Sequence, residues 1–452
     1  MLKRFFYPCL SLSIALLSSW LLAGCSTAIL AQRGPYLRAY HEGELSKAEG
    51  KLTHLADQEL PDQCYTQSKE ASWILLDRAT TRFALNKTDE AIQDYAKALE
   101  ALDYYSQELP TEQLAQMMLQ DETGAYQAAD FEQILARVYF ALALLHKGDE
   151  SNAYAILRQA EDYQQEKQHV YAKVPFTRHY RIADNGLSKF LFGVLLEKRG
   201  DLTNARILYD QAARVIPCTQ QASLQPADAS PHQATIIVLC HNGNAPYKIS
   251  ATSPASVASA LALECLLATQ RIDPAWSTLS GIPVPALRQW PDSYPLPTYA
   301  AINCQKKPLL PFYSIKEAAS EELKQKMPVI VARGVARLLL RRCAVGYIER
   351  QDPNLGALAD LTMLLINENT RADTRSWTTL PAFIDTARFD VEPGIHALSL
   401  EVYERNGVDK REYQLHLRPR DLCIIHVFNI HPGVRQILIP HRYLATQGES
   451  YE

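Results

Sequence analysis

The sequence predicts an α + β protein: an N-terminal α-solenoid of helical repeats, then a C-terminal α+β domain with an antiparallel sheet or small sandwich. Three observations carry this prediction. Through residue 217 the apolar residues recur every three or four positions, the spacing of one helix face. Ala91, Ala153 and Ala205 hold equivalent places in successive helix pairs, as repeats require. From residue 234 the period drops to two, and short β-branched runs alternate with Gly, Pro and Asn turns. The predicted divisions are a leader over 1–24, helical repeats over 25–217, a linker over 218–233 and an α+β domain over 234–452.

Lys3 and Arg4 precede a short apolar run from Leu10 to Leu22, the pattern of an export signal. It ends in Leu22-Ala23-Gly24-Cys25, which resembles the bacterial lipobox and implies lipidation of Cys25. The run is shorter than the ~20 residues of a spanning helix, and two or more acyl chains give stable anchoring without one. Ser26 in place of Asp implies the outer membrane, on its periplasmic face, with inner-membrane anchoring left open.

Residues 31–58 read as a polar helix capping the array, with Tyr36, Leu37, Tyr40, Leu45, Leu52 and Leu55 on its apolar side. Helix pairs follow over Trp73 to Ala101, Phe131 to Ala160 and Leu187 to Pro217. Pro217 stops the last helix because proline lacks a backbone donor and clashes with the preceding turn. The equivalent alanines are 62 and 52 residues apart, so each pair carries an insertion, at 103–130 and 161–186. The insertions are polar and rich in Tyr and Gln. They read as extra helices or long loops over one rim.

Gln, Ser, Ala, Asp and two prolines make 218–233 a linker. Ala234 to Cys240, the turn His241-Asn242-Gly243-Asn244 and Tyr247 to Ile249 read as a hairpin. Val257 to Leu267 is an apolar helix, and the seven prolines of 281–311 predict an extended surface strap. Ser314-Ile315-Lys316-Glu317 is a capping box opening a helix to about Ala344, kinked near Pro328. Arg333, Arg337 and Arg341 share one of its faces, read as solvated or salt-bridged, with docking to an acidic partner or lipid headgroups as the functional rival. Pro353 to Asn367 is a further helix. Phe383 to Val391, Ala397 to Tyr403, Glu412 to Leu417 and Leu422 to Ile430 are strands of an antiparallel sheet, one layer of a sandwich completed by the 234–250 hairpin around the central helices.

Phe192-Gly193, Leu196, Gly200, Ala205, Tyr209, Ala212 and Pro217 resemble the tetratricopeptide (TPR) repeat, with Lys189 where that family usually has Trp. The succession of lipobox, helical repeats, Cys240-His241-Asn242-Gly243, the Ser314 to Arg341 helix and Ala372-Asp373-Thr374-Arg375-Ser376-Trp377 resembles a poorly characterised family of bacterial TPR lipoproteins. That resemblance implies an envelope location beside other lipoproteins. It assigns no activity.

The chain of 452 residues is 47% apolar and 21% charged, with formal charge -4, so no basic field exists to hold nucleic acid. Nine cysteines leave seven after Cys9 and Cys25, an odd number without a CxxC spacing, which argues for buried small hydrophobes and against zinc. No G-x-S-x-G, HExxH, P-loop or GxGxxG occurs, so no catalytic residue, cofactor or metal is assigned. His426, His431, His441 and Asp421 are read as ordinary strand and loop residues rather than a metal cluster. The expected function is a lipid-anchored periplasmic adaptor for a protein partner. Trp73, Leu76, Val138, Leu142, His146, Phe190, Val194, Glu197 and Lys198 would face a groove, open or filled by the insertions. The rival is a glycan- or wall-binding protein, or an enzyme, acting through Asp373, Arg375 and Trp377: arginine forks onto carboxylates and tryptophan stacks on sugar faces.

Overall fold

Alanine and glycine at the contact positions decide how the first half folds. The computed structural model describes residues 33–60, 68–105, 124–173, 177–215, 232–252, 282–290, 296–303, 305–404 and 407–445. The leader, Cys25, almost all of the 218–233 linker, the Val257 to Leu267 helix and most of the 103–130 insertion lie outside them, as do Cys64, Cys218, Cys265 and Cys304. Helix α1 covers 33–41 and α2 Leu45–Glu59, so the predicted single cap is two helices. Between them Gly43 turns the chain at φ +79, a conformation that favours glycine. Three antiparallel pairs follow: α3 (Ala71–Ala84) with α4 (Thr88–Tyr105), α5 (Asp130–Lys147) with α6 (Glu150–Lys173), and α7 (Gly186–Lys198) with α8 (Leu202–Val215). Ala91, Ala153 and Ala205 are buried where the second helix of each pair meets the first. The 161–186 insertion is the far end of α6 and a loop.

The described residues of the second half make three sheets. The largest has the order β11-β10-β1-β7-β6, with β1 (Ala234–Asn242) parallel to β10 (Leu422–His431) and antiparallel to β7 (Phe383–Val391); β6 (Leu310–Ser314) and β11 (Val434–Leu438) are its edges. An antiparallel four-stranded sheet has the order β5-β4-β8-β9, from β4 (Thr298–Ile302), β5 (Gln305–Pro308), β8 (Gly394–Glu404) and β9 (Gly407–Leu417). A ribbon pairs β2 (Tyr247–Thr252) with β3 (Pro283–Arg288).

Period-2 alternation stacks these into three layers. Ile237, Leu239, Ile384, Ile424, Phe428 and Ile430 point to the helices and join their core. Ile236, Val238, Cys240, Phe389, Ile425 and Val427 point the other way, onto Ala300, Ile302, Leu398, Leu400, Leu415 and Leu417 of the four-stranded sheet. The predicted 234–250 hairpin does not form, because β1 is buried on both faces and takes β10 and β7 as neighbours while β2 pairs with β3. The four predicted strands all exist but are divided between the two large sheets. The proline strap, where described, is strand, with Pro283, Pro308 and Pro311 in ribbon or edge strands, where a missing donor costs least.

Helix α9 (Ile315–Gln351) runs 37 residues through Pro328, and α10 (Pro353–Asn369) folds back on it. Ser314 caps α9 by accepting from the Glu317 N–H at 3.2 Å. The pair is not wrapped by the sheets, since Tyr347, Leu358 and Leu361 are exposed.

Candidate functional site

The first helices of the three pairs do not line an open groove. Trp73, Leu76, Val138 and Leu142 are fully buried, and His146, Phe190 and Val194 nearly so. The groove prediction is corrected here because the apolar first helices meet an equally apolar face of the five-stranded sheet, and both are removed from water together. Phe190 packs on Phe312 of β6 with ring centroids 5.0 Å apart. Glu197 is not offered to a partner but forks with Arg388 of β7 at 2.7 Å, and accepts the Tyr209 hydroxyl at 2.5 Å. Lys198 pairs with Glu150 at 2.5 Å. The Arg442 guanidinium donates to the Leu145 and His146 carbonyls, satisfying the last turn of α5.

Asp373, Arg375 and Trp377 are likewise consumed internally. Arg375 donates to both Asp373 oxygens, to Glu70 at 2.7 Å and to the Gly124 carbonyl at 3.0 Å. Burial works against its charge, but Asp373 and Glu70 more than compensate and hold Arg375 ionised; Arg375 in turn keeps the buried Asp373 carboxyl below its usual range. The Trp377 indole donates to Thr80 at 3.0 Å, deep in the core. Beside it Asp77, on α3, accepts from the N–H groups of Thr378 and Thr379, both threonine hydroxyls and the Tyr36 hydroxyl. Residues 373–379 are therefore a polar plug seated in the array, leaving the predicted ligand site no free arginine fork or indole face.

Two further polar groups lie inside the molecule. Across the seam between helices and sheet, Tyr139, His241 and His426 form a hydrogen-bonded row, 2.9 Å and 3.2 Å apart. Burial pushes His241 down to about 3, and burial together with Arg442 pushes His146 down to about 4, so both are neutral. His431 and His441 are exposed and do not join His426. Among the described residues no group of three or more His, Cys, Asp or Glu side chains is placed to hold a metal. Between the two large sheets, Asn242 donates to Asp385 at 2.6 Å and accepts from Asn429 at 2.8 Å, and Asn429 accepts from Arg435 at 2.6 Å. Burial pushes the Asp385 carboxyl up to about 7 and the neighbouring Cys240 thiol up to about 12, the latter far from nucleophilic.

What stays open is outside. A groove between α4, α5 and α6 has a floor of Ile92, Phe140, Leu144 and Ile156, with Lys147, Asp149, Asn152 and Gln159 on its rim. Of the predicted arginine face, Arg333 is exposed whereas Arg337 and Arg341 are buried, so only its first arginine is solvated. Asp77, Asp385 and Arg388 escape sequence reading because their partners lie far along the chain; the available signal was a lone charge on an otherwise apolar stripe. Comparison with protein-family models, curated proteins and solved structures finds no match.

Proposed function

We propose that this chain is a lipid-anchored adaptor of the bacterial envelope, held through Cys25 on the periplasmic face of the outer membrane and working by binding a protein. One observation carries the reading: the array's inner face is filled by the chain's own sheet, while the α4–α5–α6 groove stays open on the outside. Its apolar floor and mixed rim suit a partner helix laying an apolar stripe on Phe140, Leu144 and Ile156. Lipid would confine the search for a partner to a surface and raise its effective concentration.

The test is in-cell crosslinking of the tagged, lipidated protein against Ala155→Arg and Ile156→Asp, at exposed and half-buried positions of the groove. A specific crosslink lost in both variants supports the adaptor reading. Crosslinks unchanged by either variant would sink it. Cys25→Ser should leave the membrane fraction; retention there would refute the anchor.

A further inference from the structure

Helix α9 buries arginines beside Leu338 and Val345, while α9 and α10 both leave large apolar side chains outside. Arg337, Arg341 and Arg342 are only 3%, 2% and 8% exposed, whereas Tyr347, Leu361, Leu358 and Leu340 are 68%, 53%, 42% and 39% exposed. Burial alone would favour the reverse, since an apolar side chain gains by leaving water and a guanidinium loses. The hairpin does not need those side chains for its own packing. Gly356 lies against α9 so closely that a Cβ there would be 2.6 Å from the Glu349 Cα, and Arg342 reaches Glu349 at 3.6 Å.

The exposed stripe of α9 carries Arg333, Leu340, Cys343, Tyr347 and Arg350, with no acid among them. The exposed positions described on α10 are Pro353, Asn354, Ala357, Leu358 and Leu361, none of them charged. An apolar stripe with arginines at both ends and an aromatic between them complements an anionic bilayer interface, where apolar side chains meet acyl chains and cations meet phosphates. No helix among the described residues is long and apolar enough to cross a membrane; a helix apolar along one stripe and polar elsewhere is suited to lie in the interface plane.

We infer that the α9–α10 hairpin is a bilayer-docking element, seating Leu340, Tyr347, Leu358 and Leu361 in an anionic leaflet with Arg333 and Arg350 on its phosphates. This contact is independent of lipid on Cys25. It is therefore tested without that lipid, in the chain from residue 25 onward carrying Cys25→Ser. Co-flotation with phosphatidylethanolamine–phosphatidylglycerol vesicles is compared with flotation on neutral phosphatidylcholine vesicles. Binding to the anionic vesicles is expected, weakened about tenfold or more by the triple change Leu340→Ser, Leu358→Ser, Leu361→Ser. The thermal transition should persist in that variant, because the three side chains are not in the core. Cys343, exposed on the same stripe, should be protected from a water-soluble maleimide by anionic vesicles when read by mass spectrometry at its own peptide. Absence of flotation overturns the proposal, whatever becomes of the anchor at Cys25. So does flotation unchanged in the triple variant. Concentration-dependent self-association that the triple variant abolishes, without vesicle binding, would assign the stripe to a second copy of the chain instead.

Discussion

Asp385 and the buried histidines give this protein two pH responses of opposite sign. Asp385 takes up its proton near 7 in the folded chain but near 3.8 when free. Between those values the folded state holds the extra proton, so this group's contribution to stability falls as pH rises. Asp385→Asn keeps the acceptor for Asn242 and removes the buried charge. It should stabilise the protein at pH 8 by about 2 kcal/mol and have little effect at pH 4, as read by urea titration at both pH values. His41, His146 and His241 behave in reverse: their folded values lie near 4, 4 and 3 against 6.5 when free. The unfolded chain binds protons that the folded chain refuses. Each histidine therefore costs about 1.4 kcal/mol per pH unit as pH falls below 6.5. Burial also pushes His426 down and Asp77 up; the four histidines outweigh the two aspartates, so midpoints should drop from pH 6.5 to 5, and His146→Gln should reduce that slope by about one proton. None of this was legible in sequence. Asp385 and His241 sit in strand patterns, and what perturbs them is the layer placed over them.

At the scale of elements, the local code was read well where it is local. The Ser314 to Glu317 box, the alanines of the helix pairs and the strand turns all lie within a few residues of what they control. Ser314→Ala should accordingly cost about 1 kcal/mol, measurable by denaturant titration. Gly193 is more informative. Helix propensity alone favours alanine there by about 1 kcal/mol, but a Cβ would lie 2.8 Å from the Tyr209 ring, whose hydroxyl is fixed by Glu197 and Arg388. Gly193→Ala should destabilise by about 1–3 kcal/mol, seen as a lower thermal midpoint; a higher one would mean the ring moves freely. Pairing beyond nearest neighbours was not legible. The His241 to Asn244 turn looks like a hairpin loop, yet β1 finds its partners in β10 and β7, far along the chain, because only they cover both its edges.

For the whole molecule, helices and sheet share one core, so they should unfold together. Far-UV circular dichroism and the fluorescence of Trp73 and Trp377 should report coincident transitions in urea. Arg388→Ala would leave Glu197 and Asp390 without their guanidinium inside that seam. It should cost about 3–5 kcal/mol, whereas paired apolar replacement of Arg388 and Glu197 should cost far less. The sequence by itself determined the helix pairs, the switch to strands after residue 234 and the caps and turns, because each depends on side chains close together in the chain. Only the tertiary structure decided that the array's inner face meets the chain's own sheet, that Asp373, Arg375 and Trp377 plug into the helices, and that α9 turns Arg337, Arg341 and Arg342 inward. Burial depends on which distant surface arrives. Periodicity marks a face as apolar, but what covers it is settled by the other half of the chain.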